Sequence, residues 1–408
     1  MLLAPVLNQH MQERIALVGD DSPLRALHLR SQEQLAAKPL PTKFSETWKY
    51  TSLTPLKDGH LEQYSGQASR IDAVPDFGGQ TLVVINGRLP EELPQIAGMQ
   101  IKRLSGEDTP ELADTTFAYY NGATLTEALL LDVPANSQVE QLLHIVFYST
   151  GNNTAHHNTR IVLTMGDNSR LQLVEHYMGN GSQLCNAVSE FDVGENSELV
   201  HCRLQSESAQ SLHIGQLAIR QQRDSRVRSY QFMSASRLKR NDIHIMMEGD
   251  NANLHMGGAF IARGTGHVDN QVCVEHRVAN CISNQIYKGI AADEGQIIFN
   301  GRIHILPNAS NTLADLSNNN LLLNRGAEIN SKPELEIYND DVKCSHGTTI
   351  GQLDPDMRFY LQSRGISEKD ALRMLSVGFV QEEIDSVPFD AVADWLSNWL
   401  GDIVAEGL

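Results

Sequence analysis

The sequence is poor in cysteine and in aromatic residues. Its 408 residues include five cysteines and only 6% Phe, Trp and Tyr. The cysteines are odd in number, widely spaced and without a Cys-x-x-Cys pair, which argues against a disulfide framework or a self-contained zinc site. With so few aromatic side chains, the core must be built mainly of Leu, Ile, Val and Ala. The five cysteines are Cys185, Cys202, Cys273, Cys281 and Cys344.

Short motifs that identify enzymes are also missing. There is no Walker A loop, no Gly-x-Gly-x-x-Gly after a strand, no His-Glu-x-x-His and no Gly-x-Ser-x-Gly. No apolar run reaches the length of a membrane span. The N-terminal segment lacks a basic stretch and is interrupted by Pro5, which makes it a poor signal peptide. We therefore expect a cytoplasmic protein that does not bind membranes.

Positive charge is scarce. There are 32 Lys and Arg residues against 50 Asp and Glu residues, a net charge of −18. This balance disfavours non-specific binding to nucleic acid or to anionic membranes. One basic segment stands out, and a solvated surface is its default interpretation, with a docking surface for an acidic partner as the alternative. It contains Arg220, Arg223, Arg226, Arg228, Arg237, Lys239 and Arg240.

The two ends of the chain have helical patterns. Ser22-Pro23 predicts the start of an N-terminal helix, and Asp354-Pro355 predicts the start of a C-terminal one that Gly365 ends. Ser367 begins a capping-box pattern, and Pro388 opens a last amphipathic segment. This short tail is too apolar to bury all of its large side chains by itself, so some must pack on the rest of the chain or on another protein.

The middle of the chain consists of short runs of β-branched residues separated by Gly, Asn and Asp turns. The segments "GDNSRLQL", "GENSELVH", "QRDSRVRS" and "GDNANLHM" place Ser169, Ser197, Ser225 and Ala252 at separations of 28, 28 and 27 residues. The spacing then loosens, although "RGAEINSK" at Ala327 repeats the same pattern. A fixed period with two strands per unit indicates a stacked solenoid, since a propeller blade needs about 40 residues and four strands.

The predicted fold class is therefore mainly β, with a right-handed parallel β-helix core flanked by N-terminal and C-terminal helical regions. We place an N-terminal helical or mixed region at 1–115, the β-helix at 116–350 and a C-terminal helical region at 351–408.

One Cys-x-His pair occurs near the end of the β region. In a strand, Cys344 and His346 project from one face while Ser345 points away. A thiolate and an imidazole are suitable metal ligands, but a free cysteine in a strand is more often a small buried hydrophobic residue, so the pair alone leaves both interpretations open. The other four cysteines are expected in the core. His276 and His304 are either polar residues bonded within a coil or part of a route to the site.

The segment around this pair resembles the SufB/SufD family of iron–sulfur cluster assembly proteins. The resemblance rests on "EIYNDDVKC", "DDVKCSHG" and "FYLQSRG", with a weaker likeness at "ETWKYT" near the N-terminus. The short chain, without additional cysteines, is more similar to SufD members than to the SufB scaffold. The resemblance implies a non-catalytic scaffold subunit of a SufBCD-type complex, which pairs with SufB and binds the ATPase SufC.

The resemblance also implies roles for particular residues. The transient iron–sulfur cluster, shared with SufB, would be bound by His346 and Cys344. The SufB interface would contain Tyr338, Val342, Cys344 and His346. The SufC-binding surface would contain Phe359, Tyr360, Leu361, Ser363, Arg364 and Gly365. A cysteine desulfurase system is implied as an indirect partner, reduced flavin as a possible cofactor of the complex, and a homodimer as possible in isolation.

Three alternatives are weighed against this hypothesis. A secreted-type β-helix enzyme acting on polysaccharide would need paired carboxylates on the outside of the coils, whereas the acidic residues here lie mainly at turns. A Cys–His nucleophile would need contact between the two side chains and an oxyanion hole, and strand spacing of about 6.5–7 Å argues against contact. A SufB-like homodimeric scaffold remains open.

Overall fold

In a computed structural model the chain folds as a two-sheeted parallel solenoid. The structure describes residues 9, 12–13, 15–16, 19, 21–57, 62–63, 72–105, 112–151 and 155–405. Within these residues the strands form a ten-stranded and a nine-stranded sheet, and every strand pair is parallel except one at the N-terminal end of the larger sheet. The predicted mainly β fold with a parallel β-helix core between helical ends is confirmed.

Successive long strands alternate between the two sheets. The nine-stranded sheet contains, in spatial order, β2 (Gln80–Ile85), β5 (Leu143–Ser149), β7 (Arg170–Gly179), β9 (Glu198–Glu207), β11 (Arg226–Ser234), β13 (Asn253–Ala262), β15 (Ile282–Ala291), β17 (Thr312–Leu322) and β19 (Val342–Gln352). The ten-stranded sheet contains β3 (Gln100–Arg103), β4 (Leu129–Val133), β6 (Ala155–Met165), β8 (Leu184–Val193), β10 (Leu212–Gln221), β12 (Leu238–Met247), β14 (His267–His276), β16 (Gln296–Ile305) and β18 (Glu328–Ile337), with β1 (Glu62–Gln63) paired to β6.

The strand register explains the period in the sequence. The small residues of the repeat stack at one corner of the solenoid, because each of them comes directly before a strand that is paired in register with the next. They are Ser169, Ser197, Ser225 and Ala252. The backbone N–H of Ser169 donates to Ser197 Oγ at 3.0 Å, and the N–H of Glu198 donates to the carbonyl of Ser169 at 2.9 Å. Each coil therefore supplies the hydrogen-bond partners of the next.

The residue before each small residue has a left-handed backbone. Asn168, Asn196, Asp224 and Asn251 have φ values of 57°, 53°, 58° and 61°. Asn and Asp tolerate this conformation better than other non-glycine residues. Their side chains also connect the coils: Asn196 Nδ2 donates to Asn168 Oδ1 at 2.8 Å, and Asn251 Nδ2 donates to Asp224 Oδ1 at 2.7 Å.

The repeat continues at residues that the sequence pattern did not identify. By strand register, Cys281, Thr312 and Val342 occupy the same corner as Ala252. Ala327 instead precedes β18 in the other sheet, so its assignment to this repeat is wrong. The error arises because the opposite corner of the solenoid also turns through left-handed Asn and Asp residues, such as Asp293 with φ of 60°.

The space between the sheets is filled mainly by aliphatic side chains, as the composition predicted. Leu, Ile, Val and Ala from both sheets form the largest buried cluster. The few aromatic rings stack along the solenoid: the ring centroids of Phe260 and Tyr287 lie 5.5 Å apart, and those of Tyr287 and Phe299 lie 5.1 Å apart. Stacking like side chains from coil to coil gives every coil, except those at the ends, a packed neighbour on each side.

N-terminal elements cover the outer face of the ten-stranded sheet. They are α1 (Arg25–Ala37), two short 3₁₀ turns (Glu46–Trp48 and Thr54–Lys57) and α2 (Thr116–Thr124). Trp48 and Phe117 pack there against Leu184 and Leu212 of the sheet. The helix begins at Arg25, two positions after the predicted Pro23, because Ser22 Oγ accepts the Leu24 N–H within a preceding turn.

Two residues of the basic segment are buried, Arg240 under this cover and Lys239 between the sheets, so the solvated-surface interpretation is wrong for them. Lys239 and Arg240 are 0% and 1% exposed. Lys239 Nζ donates to Glu207 Oε2 at 2.7 Å, and Arg240 Nη1 donates to Asp269 Oδ2 at 2.6 Å. The Arg240 guanidinium also lies 3.9 Å from the centre of the Trp48 ring. Their charges are used inside the fold, since a buried cation needs a partner.

C-terminal helices cover the outer face of the nine-stranded sheet. They are α3 (Pro355–Ser363), α4 (Glu368–Asp385) and α5 (Asp390–Ala405). Asp354 caps α3 by accepting the Asp356 N–H, and Ser367 caps α4 by accepting the Asp370 N–H, as predicted. Apolar residues of α4 and α5 pack on the strands, whereas α3 has no buried residue. Part of the tail therefore folds onto the body and part remains exposed.

Candidate functional site

The candidate site lies at the C-terminal end of the solenoid. β18 and β19 are the last strands of their sheets, and no described strand pairs with their outer edges. The exposure of apolar side chains rises at this end, where Ile337, Tyr338 and Ile350 are 41%, 62% and 47% exposed. A long unpaired edge with exposed apolar residues is unusual in a monomer, because natural proteins normally protect such edges.

Register places Cys344 and His346 on the inner side of β19. Cys344 lies opposite Ala314, and His346 lies opposite Leu316, both of which are buried in the core between the sheets. Cys344 itself packs against that core and is half-buried, whereas His346 is exposed. The two side chains thus share the face expected from their spacing and project into the open end of the solenoid.

Ser345 faces the other way, as predicted. Its hydroxyl donates to Asp315 Oδ1 at 2.5 Å. The same carboxylate contributes to the environment of Cys344: partial burial raises the pKa of the Cys344 thiol, and the negative charge of Asp315 raises it further. The free thiol is thus held mainly protonated near neutral pH, and a bound metal ion would have to displace that proton.

The other two residues of the predicted interface differ in exposure. Val342 packs partly against the core between the sheets. Tyr338 is exposed, and its ring contacts His304 edge to face, with centroids 5.7 Å apart. The structure therefore brings Tyr338, Val342, Cys344 and His346 to one end of the body, on or beside the last strand.

Three of the remaining cysteines are core residues, as expected. Cys185 and Cys281 are buried between the sheets, and Cys202 is buried under the C-terminal helices. Burial raises the pKa of Cys281 to about 11, which makes it unreactive. The expectation fails for Cys273, which is half-buried on the outer face of β14, where Arg302 Nε lies 3.4 Å from its sulfur. The neighbouring strand β16 supplies that arginine, a contact that sequence spacing does not reveal.

His276 and His304 do not share a location. His276 is fully buried, and its Nε2 lies 2.9 Å from the hydroxyl oxygen of Ser283. His304 lies on the outer face, with its Nδ1 3.5 Å from Glu275 Oε1. His276 is thus a polar residue bonded within a coil, and the two do not form a common route to the open end.

A second exposed surface is formed by α3 and the residues after it. Phe359 and Tyr360 are 70% and 54% exposed, and the Arg364 guanidinium lies 4.9 Å from the centre of the Tyr360 ring. Leu361 is half-buried, and Ser363 and Gly365 are exposed. All six residues predicted for ATPase binding therefore lie on one helix and its C-terminal turn.

Across the described part of the chain, the helices are too short or too polar to cross a lipid bilayer.

The chain is similar in sequence to known iron–sulfur cluster assembly proteins. A family profile described as "SUF system FeS cluster assembly, SufBD core domain" matches residues 147–379. The chain is 31% identical to the iron–sulfur cluster assembly protein SufD of Escherichia coli, with 88% of each chain covered. It is 28% identical to an iron–sulfur cluster assembly SufBD family protein of Synechocystis, covering 93% of this chain and 91% of that one.

A more distant relative covers as much of the chain. The iron–sulfur cluster assembly protein SufD of Bacillus subtilis is 23% identical over 90% of this chain and 91% of its own. The matched core includes the whole of β18 and β19, where Cys344 and His346 lie. The chain therefore belongs to the SufBD family of iron–sulfur cluster assembly proteins and is similar to its SufD members.

Proposed function

We propose that this protein is a non-catalytic scaffold subunit of a SufBCD-type complex. It pairs with a SufB partner through the free edges of β18 and β19 and contributes Cys344 and His346 as ligands to a nascent iron–sulfur cluster. The observation that carries the proposal is the position of these two side chains on the inner face of the last strand, at the open end of the solenoid.

The chemistry of the pair supports cluster binding. Thiolate and imidazole both ligate iron in sulfide clusters, and two ligands leave room for others. A partner strand added to the edge of β19 would continue the sheet by backbone hydrogen bonds and would bring its own side chains to the same face. The cluster is the cargo of the complex, held across the seam until transfer. The reduced flavin implied by the family resemblance is assigned no residue in this chain.

The exposed helix α3 is proposed as the attachment site of the ATPase SufC. Phe359 and Tyr360 are aromatic, exposed and adjacent, and aromatic anchors contribute most to protein interfaces. The helices that follow are held on the body by buried contacts of Val380, Leu396 and Leu400. Force generated by an ATPase at α3 would therefore reach the solenoid through packed elements.

The central test is His346→Ala in the tagged chain, purified anaerobically together with SufB and SufC. We expect iron and sulfide in the complex to fall several-fold, because one ligand is lost, while the melting temperature stays nearly unchanged because His346 is exposed. Cys344→Ser should act in the same direction. Ser345→Ala, on the opposite face of the same strand, is the matched control and should retain iron.

Normal iron in a His346→Ala complex of lowered melting temperature would show that the residue is structural. Recovery of the chain only as a homodimer that still carries iron would support the homodimeric scaffold instead.

The proposed attachment of SufC at α3 is tested by a variant that combines Phe359→Ala and Tyr360→Ala. Removing two exposed aromatic anchors should weaken capture of SufC by roughly 10-fold or more and leave the stability of the chain unchanged. Leu29→Ala, at a 50% exposed residue of α1, is the control. Undiminished SufC capture by the double variant would refute attachment at α3.

A further inference from the structure

A second cluster of metal-binding side chains lies away from the open end, on the outer face of the ten-stranded sheet. His244 of β12 is opposite Cys273 of β14 in register, and Glu275 follows Cys273 by two positions on the same face. The imidazole nitrogen, the sulfur and a carboxylate oxygen of these residues all lie within 4.8 Å of one another. None of the three belongs to the interface or cluster residues proposed above.

The spacing of these atoms suits ligands around an ion better than a hydrogen bond. His244 Nε2 lies 3.4 Å from Glu275 Oε1, longer than an ordinary N–H···O hydrogen bond of about 2.7–3.2 Å. Ligand atoms bonded to one tetrahedral ion at about 2.0–2.3 Å stand roughly 3.3–3.7 Å apart. The His244–Glu275 distance therefore already lies in the range expected for two ligands of one ion, and the Cys273 sulfur is within 4.8 Å of both atoms.

A fourth residue converges on the same carboxylate. His304 Nδ1, from β16, lies 3.5 Å from Glu275 Oε1, and it is buried without a hydrogen-bond partner. His304 Nε2 is also 3.9 Å from Glu336 Oε2. One carboxylate oxygen is thus approached by two imidazoles, from the strands on either side of β14, at 3.4 and 3.5 Å.

The surrounding charges balance a divalent cation. Arg302 donates to the Cys273 sulfur from Nε and Nη2, both at 3.4 Å, and contacts Glu336. Arg277 contacts both Glu275 and Glu248. These two arginines are matched by Glu336 and Glu248, which leaves the Glu275 carboxylate and a Cys273 thiolate as two negative charges. In metal sites, N–H groups commonly donate hydrogen bonds to a metal-bound sulfur, and these bonds orient the ligand.

The cluster is accessible from solvent through a cavity. A cavity of about 540 Å³ between the sheet and the N-terminal cover is lined by all three residues. Their side chains are half-buried, with His244 34% and Glu275 15% exposed. An ion can therefore enter while its site remains partly shielded from water.

We propose that His244 Nε2, Cys273 Sγ and Glu275 Oε1 form a binding site for one divalent transition metal ion of the Zn²⁺ and Fe²⁺ class, with the fourth position facing the cavity. Mixed nitrogen, sulfur and oxygen donors favour such ions over Mg²⁺ or Ca²⁺. On binding, the Cys273 thiol loses its proton to solvent, and a sulfur–metal bond forms.

The test is anaerobic titration of the full chain with Co²⁺, followed by absorption spectroscopy. Cobalt bound to a thiolate gives a charge-transfer band in the near ultraviolet, so we expect this band to saturate at one ion per chain. Cys273→Ser should abolish the band, and His244→Ala and Glu275→Gln should each weaken Co²⁺ binding by roughly 10-fold or more. The titration is carried out in a Cys344→Ser chain, so that the thiol of the proposed cluster site does not contribute to the band. Cys281→Ala is the matched control and should leave the band unchanged, since Cys281 is buried and Ala252 holds the same position in the preceding coil.

Addition of Zn²⁺ should displace Co²⁺, since zinc binds such sites more tightly, and Fe²⁺ added in its place shows whether iron also competes. A band that is absent, or that is kept with Cys273→Ser, overturns the proposal. If Cys273→Ser fails to fold, His244→Ala decides: an unchanged cobalt spectrum in that variant also overturns it.

Discussion

At the scale of single residues, the solenoid depends on left-handed asparagines and aspartates at its corners. Asn196 illustrates the two contributions of such a residue. Its backbone has φ of 53°, and its side chain donates to Asn168 Oδ1 at 2.8 Å. A left-handed backbone costs most L-residues about 1–2 kcal/mol, and one hydrogen bond contributes about 1 kcal/mol.

Asn196→Ala and Asn196→Gly separate these contributions. We expect Asn196→Ala to lower the free energy of unfolding by about 2–3 kcal/mol, because alanine strains the turn and removes the side-chain bond. Asn196→Gly should lose less, because glycine adopts this conformation readily. Denaturant unfolding followed by circular dichroism measures both. Equal losses for the two variants would show that backbone strain does not matter at this corner.

The sequence could predict residues whose partners are close in the chain, but not those whose partners are a coil away. Cys344 and His346 are two apart in one strand, so their shared face follows from strand geometry alone. Cys273 and His244 lie 29 positions apart and meet only because β12 and β14 are in register. Cys281 was expected in the core, but the sequence pattern did not identify it as the next small residue of the repeat. The coil that leads to it is one to two residues longer than the coils before, so a fixed period misses it.

At the scale of elements, the packing of α4 on the nine-stranded sheet encloses an acidic side chain. Glu383 is 2% exposed, and Gly257 of β13 leaves the space that its carboxylate occupies. Lys288 of β15 is the nearest cation, 4.0 Å from Glu383 and 3.1 Å from Glu382. Burial raises the pKa of Glu383 to about 7, with Lys288 opposing the shift and Glu382 adding to it.

This buried carboxyl predicts a pH dependence of stability. Its pKa in the folded state lies above the ordinary value of 4.5, so folding takes up a proton, and stability falls as pH rises from about 4.5 to about 7. Above about pH 7 the stability that this carboxyl group contributes is fully lost. We expect Glu383→Gln to remove this component and to melt at a higher temperature than the parent at pH 8.

The difference in melting temperature between parent and Glu383→Gln, followed from pH 5 to pH 8, isolates the contribution of this group from that of the histidines. Asp385→Asn is the matched control, because Asp385 is an exposed acidic residue of the same helix that does not contribute to the shift at Glu383. That control should keep the pH dependence of the parent. A constant difference between parent and Glu383→Gln across the range would contradict a raised pKa.

The fold of these outer elements was only partly readable from the sequence. The capping residues Asp354 and Ser367 were predictable because their hydrogen bonds are local. Which apolar tail residues stay exposed was not predictable. Val392 and Leu400 are buried against the sheet while Phe359 is exposed, a difference set by where α3 leaves the body.

At the scale of the whole molecule, the two long faces of the body are covered by helices and the C-terminal end is not. The exposed apolar residues Ile337, Tyr338 and Ile350 lie at that end, beside the free edges of β18 and β19. In the isolated chain, such an end is expected to pair with the same end of a second copy, because an isologous contact satisfies both edges at once.

Charge opposes this self-pairing. Each copy carries a net charge of −18, so two copies repel one another at low ionic strength. Salt screens repulsion beyond about 10 Å at 0.1 M, whereas the apolar contact at the seam is not weakened by it. We therefore expect dimerisation of the isolated chain to strengthen as salt is raised from 0.02 to 0.5 M. An interface held together by ion pairs would instead weaken over the same range.

Ile350→Lys tests whether the free end is the seam of that dimer. Burial of one Ile contributes about 1.5–3 kcal/mol, and a two-fold interface contains the residue twice, so the substitution should weaken dimerisation at least 10-fold. Phe44→Lys, at an 88% exposed apolar residue of the N-terminal region, introduces the same charge elsewhere and is the control. Sedimentation velocity across a concentration series measures both variants. Equal weakening by Ile350→Lys and Phe44→Lys would mean that added positive charge, rather than position, governs association, and would move the seam away from β19.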